Sequence, residues 1–94
     1  MTPTASDDDV VLPERLTMYT TSWCGYCVRL KRELSRAGIS YDEVDVESDP
    51  QAAALIEYIN GGYRTVPTLL FPDGESMTNP SAREVATHLA RLAG

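Results

Sequence analysis

Cys24 and Cys27, the only two cysteines of the 94-residue chain, stand either side of Gly25-Tyr26. Thiols at this spacing suit disulfide exchange, in which one attacks as a thiolate and the other resolves the mixed disulfide that forms. A purely structural bridge between them would close a tiny loop, and small loops restrict the unfolded chain least. With no other cysteine to pair, the pattern also argues against a secreted disulfide scaffold. Metal binding by the pair would need about four ligands, and the single histidine, His88, is all the chain offers beside it. No metal site is expected.

The chemistry depends on where the chain holds the two sulfurs. Leu16-Thr-Met-Tyr-Thr20 has the pattern of a short strand, and Thr21-Ser22-Trp23 turns from it into a helix that begins near Cys24. Along that helix Cys27, Leu30, Leu34 and Ala37 fall on one face, Arg29, Arg32, Glu33 and Arg36 on the other, and Gly38 stops it. Cys24 is thereby predicted at a helix N-terminus, where unpaired backbone N–H groups and the helix dipole favour S⁻ over SH. Arg29, Lys31, Arg32 and Arg36 outnumber Glu33 and add a local positive field, a modest one because these groups are solvated. Cys27, one turn inward on the core stripe, is expected to be shielded and less readily ionised. The spacing thus predicts Cys24 as nucleophile and Cys27 as resolving thiol.

The remaining elements follow from the same patterns. Tyr41-Asp-Glu-Val-Asp-Val46 alternates as a strand with Val44 and Val46 inward. Asp49 and Pro50 signal a helix start, Ala52, Leu55, Ile56 and Ile59 form its apolar stripe, and Asn60-Gly61-Gly62 ends it. Thr65-Val66-Pro67 leads into the strand Thr68-Leu-Leu-Phe71, Pro72-Asp73-Gly74-Glu75 turns, and Glu75-Ser-Met-Thr78 forms a fourth strand. Ser81 and Glu84 make a capping box that opens a last helix with Val85, Leu89 and Leu92 inward. The order β-α-β-α-β-β-α predicts an α/β fold, with a four-stranded mixed sheet carrying three helices on its two faces.

Length suits one domain. Residues 1–14 are polar and end near Pro13, so they are expected to be a flexible tail ahead of a domain spanning 15–94. The net charge of −6 argues against nucleic acid as a partner. No apolar run approaches the ~20 residues of a membrane span, and the polar start Met1–Asp9 lacks the pattern of a signal peptide. A cytoplasmic monomer is the expected state.

Trp23-Cys24-Gly25-Tyr26-Cys27 between a strand and a helix, followed by Thr65-Val66-Pro67 before a strand, resembles the glutaredoxin layout of the thioredoxin fold over roughly residues 15–94. That resemblance implies a cis Val66–Pro67 peptide facing the active cysteine, with the Val66 backbone free to pair with the cysteine of a bound thiol. It makes Trp23, Tyr26, Thr65, Val66, Pro67, Thr78 and Asn79 the expected substrate-binding set. Arg64 is read as a solvated charge, His88 as helix packing, and Tyr19, Tyr41 and Tyr58 as structural.

Glutaredoxins that use glutathione resemble one another in a Gly-Gly-x-Asp segment after the fourth strand; here Thr78-Asn79-Pro80-Ser81-Ala82 stands instead. The Trp-Ser-Gly-Phe-Arg-Pro-like segment of redoxins serving ribonucleotide reductase is missing too. Tyr19–Cys27, Tyr41–Asp45, Asn60–Gly62, Arg64–Thr68 and Thr78–Ala82 together resemble the mycoredoxin family. This implies mycothiol, a cysteine carried on a neutral sugar-inositol, as co-substrate, mycothiolated proteins as partners, and no tightly bound cofactor. The implied activity is reduction of mycothiol–protein mixed disulfides. A general dithiol redoxin fed by thioredoxin reductase, and a [2Fe–2S] cluster carrier, are the alternatives.

Overall fold

A computed structural model describes residues 12–94. Residues 1–11, most of the expected tail, lie outside the described residues. The Leu12 side chain lies against Gly74, 3.6 Å from where a Cβ would stand.

The elements are β1 (Thr17–Thr20), α1 (Gly25–Arg36), β2 (Asp42–Asp45), α2 (Pro50–Ile59), β3 (Thr68–Leu70), β4 (Ser76–Thr78) and α3 (Ala82–Ala93). This is the expected β-α-β-α-β-β-α order. The strands form one mixed sheet in the order β2-β1-β3-β4. β1 runs parallel to β2, with Thr17 opposite Asp42, and antiparallel to β3, with Met18 opposite Leu69. β3 and β4 pair as a hairpin with Leu69 opposite Met77.

Side chains alternate across the sheet and feed two cores. On one face Leu16, Met18, Leu69 and Phe71 meet Cys27, Leu30 and Leu34 of α1 and Val85 of α3. On the other, Tyr19 and Leu70 meet Ala52, Ala53 and Ile56 of α2, together with Val46 from just beyond β2. Met18, Leu34, Ile56, Leu69 and Phe71 are fully buried, each stabilising the fold by roughly 1.5–3 kcal/mol.

Local chemistry sets the helix ends. Asp49 caps α2 by accepting from the N–H groups of Gln51 and Ala52. Ser81 and Glu84 form the predicted capping box of α3, each side chain accepting from the other's backbone N–H. α1 stops where Gly38 takes φ +73° and Ile39 N–H reaches back to Leu34 O, a left-handed helix stop.

Three side chains depart from their expected places. Ala37 and Leu92 are exposed: Ala37 is the C-cap of α1 and Leu92 lies in the last turn of α3, and neither joins a core. Tyr58 is exposed on the outer side of α2 and packs into neither core.

Candidate active site

β1 carries the chain to Thr20 at the sheet's end, and the turn Thr21-Ser22-Trp23 delivers Cys24 as the N-cap of α1. Cys24 has extended backbone angles, and its carbonyl accepts the Val28 N–H at 3.2 Å, opening the helix. Its sulfur does what a serine or aspartate oxygen does at other N-caps: Sγ accepts the backbone N–H of Cys27 at 3.1 Å. A negative charge on that sulfur is therefore met by a backbone donor and by the positive end of the helix dipole.

Across the groove stands Val66, whose carbonyl oxygen accepts from Cys24 Sγ–H at 3.8 Å. The Val66–Pro67 peptide is cis, and Pro67 is buried at the start of β3. Cys24 is 5% exposed, with the Val66 carbonyl against its sulfur.

Cys27 is 1% exposed and packed in the core with Leu30 and Leu34. Burial pushes its thiol from 9.0 up to about 12, reinforced by its hydrogen bond to Cys24; the Thr21 backbone and the Lys31 charge pull the other way without prevailing. Both thiols are buried, but Cys24 sits at the helix cap beside Val66 while Cys27 lies one turn deeper against Leu30 and Leu34.

Two exposed aromatic side chains neighbour the cysteines in the chain. Trp23 is 71% exposed and Tyr26 60% exposed. The Arg29 guanidinium lies over the Tyr26 ring at 5.8 Å from its centre, and Trp23 Nε1–H donates to Glu47 Oε2 at 2.8 Å. Glu47 follows β2 and is 24 residues from Trp23, a pairing that no local pattern signals.

The structure brings Asn79 to the same end of the sheet, since its backbone N–H donates to Pro67 O at 2.8 Å. Thr65 is exposed, and its carbonyl accepts from the Thr68 hydroxyl at 2.7 Å. The Thr78 hydroxyl donates to Asn60 Oδ1 at 2.8 Å, and Asn60 Nδ2 reaches Thr68 Oγ1 at 3.2 Å. Asn60 thus ties the end of α2 to the β3–β4 hairpin.

The positive field expected along α1 is weaker than the sequence implies. Glu43 of β2 neutralises Lys31 at 3.0 Å, and Glu33 pairs with Arg29. Arg64, read as a free surface charge, pairs with Glu57. His88 does pack its helix, edge-on to Phe71, and its Nε2 also meets Asp73 Oδ2 at 2.9 Å. Among the described residues no group of three or more metal-ligating side chains gathers.

Comparison with known proteins places this site in a family. The family model described as Glutaredoxin matches residues 16–77. The "Putative glutaredoxin Rv3198A" of Mycobacterium tuberculosis is 57% identical over 79 residues, covering 84% of this chain and 94% of the relative. Mycoredoxin 1 of Corynebacterium glutamicum is 41% identical over 78 residues, covering 83% of this chain and 96% of the relative. The crystal structure of the thioredoxin-like protein BC3987 superposes with a TM-score of 0.65 at 27% identity, covering 78% of this chain and 97% of that one. The chain belongs to the glutaredoxin family on the thioredoxin fold, and is a thiol–disulfide oxidoreductase with the Cys24–Cys27 pair as its active site.

Proposed function

We propose that this protein reduces mixed disulfides between mycothiol and cytoplasmic proteins, with Cys24 as nucleophile and mycothiol as electron donor. The observation that carries the choice of donor is the state of the backbone after β4. Glutathione-using relatives resemble one another in offering a glycine-rich helix start there. In this chain the Asn79 N–H is bonded to Pro67 O, Pro80 has none, and the Ser81 N–H is bonded to Glu84. No N–H remains at 79–81 to hold a γ-glutamyl carboxylate. The 41% identity to mycoredoxin 1 supports the same reading.

The reaction follows from the two sulfur environments. The Cys24 thiolate attacks the mycothiol sulfur of a protein–mycothiol disulfide; the S–S bond breaks, and the protein leaves as a thiolate. Cys24 now carries mycothiol as a mixed disulfide. A second mycothiol thiolate attacks the carried mycothiol's sulfur, releases the Cys24 thiolate and departs as mycothiol disulfide. The net reaction consumes one free mycothiol, which joins the one carried by the protein as mycothiol disulfide, and one protein thiol is restored. Val66, Pro67 and Thr65 line the approach on one side, Trp23 and Tyr26 form its walls, and Thr78 and Asn79 close the hairpin end.

Cys27 is not needed on this route. Held near a titration point of about 12, it is protonated at neutral pH and resolves the mixed disulfide only after losing its proton.

The test is turnover of one mixed-disulfide substrate with mycothiol and with glutathione as donor. Mycothiol should support turnover at least about ten times faster, Cys24→Ser should abolish it, and Cys27→Ser should keep most of it. Equal rates with the two donors would sink the choice of donor; equal loss from the two substitutions would sink the one-cysteine route.

A further inference from the structure

The sequence patterns do not single out Glu47, yet its carboxylate is fixed at the rim of the redox groove. Trp23 stands immediately before Cys24, and its indole N–H holds Glu47 Oε2 at 2.8 Å. The turn beneath is braced: Glu47 N–H donates to Asp45 Oδ1 at 2.9 Å, and both the N–H and the hydroxyl of Ser48 donate to Asp45 O at 3.2 Å. Asp49 is held in turn as the cap of α2. Only one Glu47 oxygen is engaged by the indole, which leaves Oε1 as an acceptor beside an indole that is 71% exposed.

An exposed aromatic face next to an oriented carboxylate has a defined chemical preference. The face takes the C–H-rich side of a ring, and the carboxylate takes hydroxyl or ammonium donors. It repels a head group that ends in carboxylates, at short range and less strongly as salt rises. A polyhydroxylated ring satisfies both surfaces; a peptide-like dicarboxylate can offer the carboxylate an ammonium but gives the aromatic face no C–H-rich ring and brings two like charges.

We infer that Trp23 and Glu47 form the head-group subsite for the low-molecular-weight thiol. The indole stacks on a sugar ring, and Glu47 accepts hydrogen bonds from its hydroxyls. This rests on the mycothiol reading and adds to it the residues that choose between thiols. Glu47 contributes specificity rather than chemistry: it touches the carrier of the thiol and stays clear of the sulfurs. Cys24, flanked by Val66 on the β3 side, has this rim on the β2 side of the sheet.

The test measures KM and kcat on one mixed-disulfide substrate with three donors: mycothiol, glutathione and N-acetylcysteine, which has an acylated cysteine but no sugar. Glu47→Gln should raise KM for mycothiol about ten-fold, the effect of losing one charge-assisted hydrogen bond. It should lower KM for glutathione about two-fold by removing a screened like charge. Opposite shifts for two donors are not produced by a loosened loop. Trp23→Phe, which keeps a ring but loses the N–H, provides a background in which Glu47→Gln must still raise KM for mycothiol. Both side chains are at the surface, so far-UV circular dichroism should show folded variants.

If the unsubstituted protein fails to prefer mycothiol over both other donors, the parent reading falls and this one falls with it. If it prefers mycothiol and Glu47→Gln keeps that preference in full, the subsite alone is overturned. A fall in kcat/KM that is equal for all three donors overturns it too, because Glu47 would then act only by positioning Trp23.

Discussion

Removing the Cys27 thiol should change how stability depends on pH, and the size of the change follows from its burial. In the folded protein Cys27 is 1% exposed and titrates at about 12, against an ordinary 9.0. Unfolding frees it to ionise at its ordinary value, so above that value the unfolded state binds fewer protons than the native one. Stability is then complete below pH 9 and declines as pH rises toward 12, with a limiting slope of about 1.4 kcal/mol per pH unit. Between about pH 8 and about pH 10 the integrated loss is about 1.4 kcal/mol. A chain of this size has a urea m-value of about 1–1.5 kcal/mol/M, so the midpoint should move down by roughly 1 M.

The assay is urea unfolding of the reduced protein, followed by far-UV circular dichroism at closely spaced pH values, beside Cys27→Ala. The substitution lowers stability at every pH by a constant cavity cost and flattens the alkaline decline. Tyr19 and Tyr41 are also raised by burial, but they titrate in both proteins and cancel in the difference. Parallel curves for the two proteins across that range would refute the claim that the resolving thiol is held neutral by its site. They would remove the physical basis for a route that bypasses it.

Ser81→Ala breaks one half of the capping box at the start of α3 and should cost about 1 kcal/mol, seen as a melting temperature lower by about 4–8 °C. Burial alone would raise the Glu43 carboxyl, but hydrogen bonds from the Thr20 hydroxyl and the Lys31 ammonium outweigh it and hold the group below its ordinary 4.5. The stability Glu43 contributes is therefore present above pH 4.5 and is lost as pH falls below it. Glu43→Gln should lower stability at neutral pH and flatten that acid limb, as read from denaturant midpoints at a series of pH values.

Features encoded within a few residues were legible in the sequence. The N-cap placement of Cys24, the Asp49 cap, the Ser81–Glu84 box and the Gly38 stop each depend on groups within about five positions of one another, the range over which helix chemistry acts. Helical spacing likewise picked out the inward faces of α1 and α2, Leu30 and Leu34 in one core and Ala52 and Ile56 in the other. What stayed hidden is long-range pairing. Glu47 finds Trp23 across 24 residues, Glu43 finds Lys31 across 12, and Thr78 finds Asn60 across 18. Each depends on β2 or β4 docking at the sheet edge in one register. The positive field along α1 is smaller than its own residues suggest for that reason, since Glu43, the partner of Lys31, belongs to another element. Leu92 keeps the helical spacing of a core residue, but it sits in the last turn of a helix whose buried contact is Val85 near the other end, and it is 41% exposed.

The division of labour between the two cysteines reduces to a single hydrogen bond. A spacing of three residues joins an N-cap to the third residue of its helix, so Cys27 presents its backbone N–H to the Cys24 sulfur at 3.1 Å. The same geometry points the Cys27 side chain down the inward stripe toward Leu30 and Leu34. One donor therefore stabilises charge on the first sulfur, and the turn that supplies it removes the second sulfur from water. With two residues between the cysteines the asymmetry needs no third side chain, which is why Gly25 and Tyr26 are free to shape the groove. On the proposed reading, selection among donor thiols falls to the rim, where Trp23 and Glu47 meet on one side of Cys24 and Val66 stands on the other.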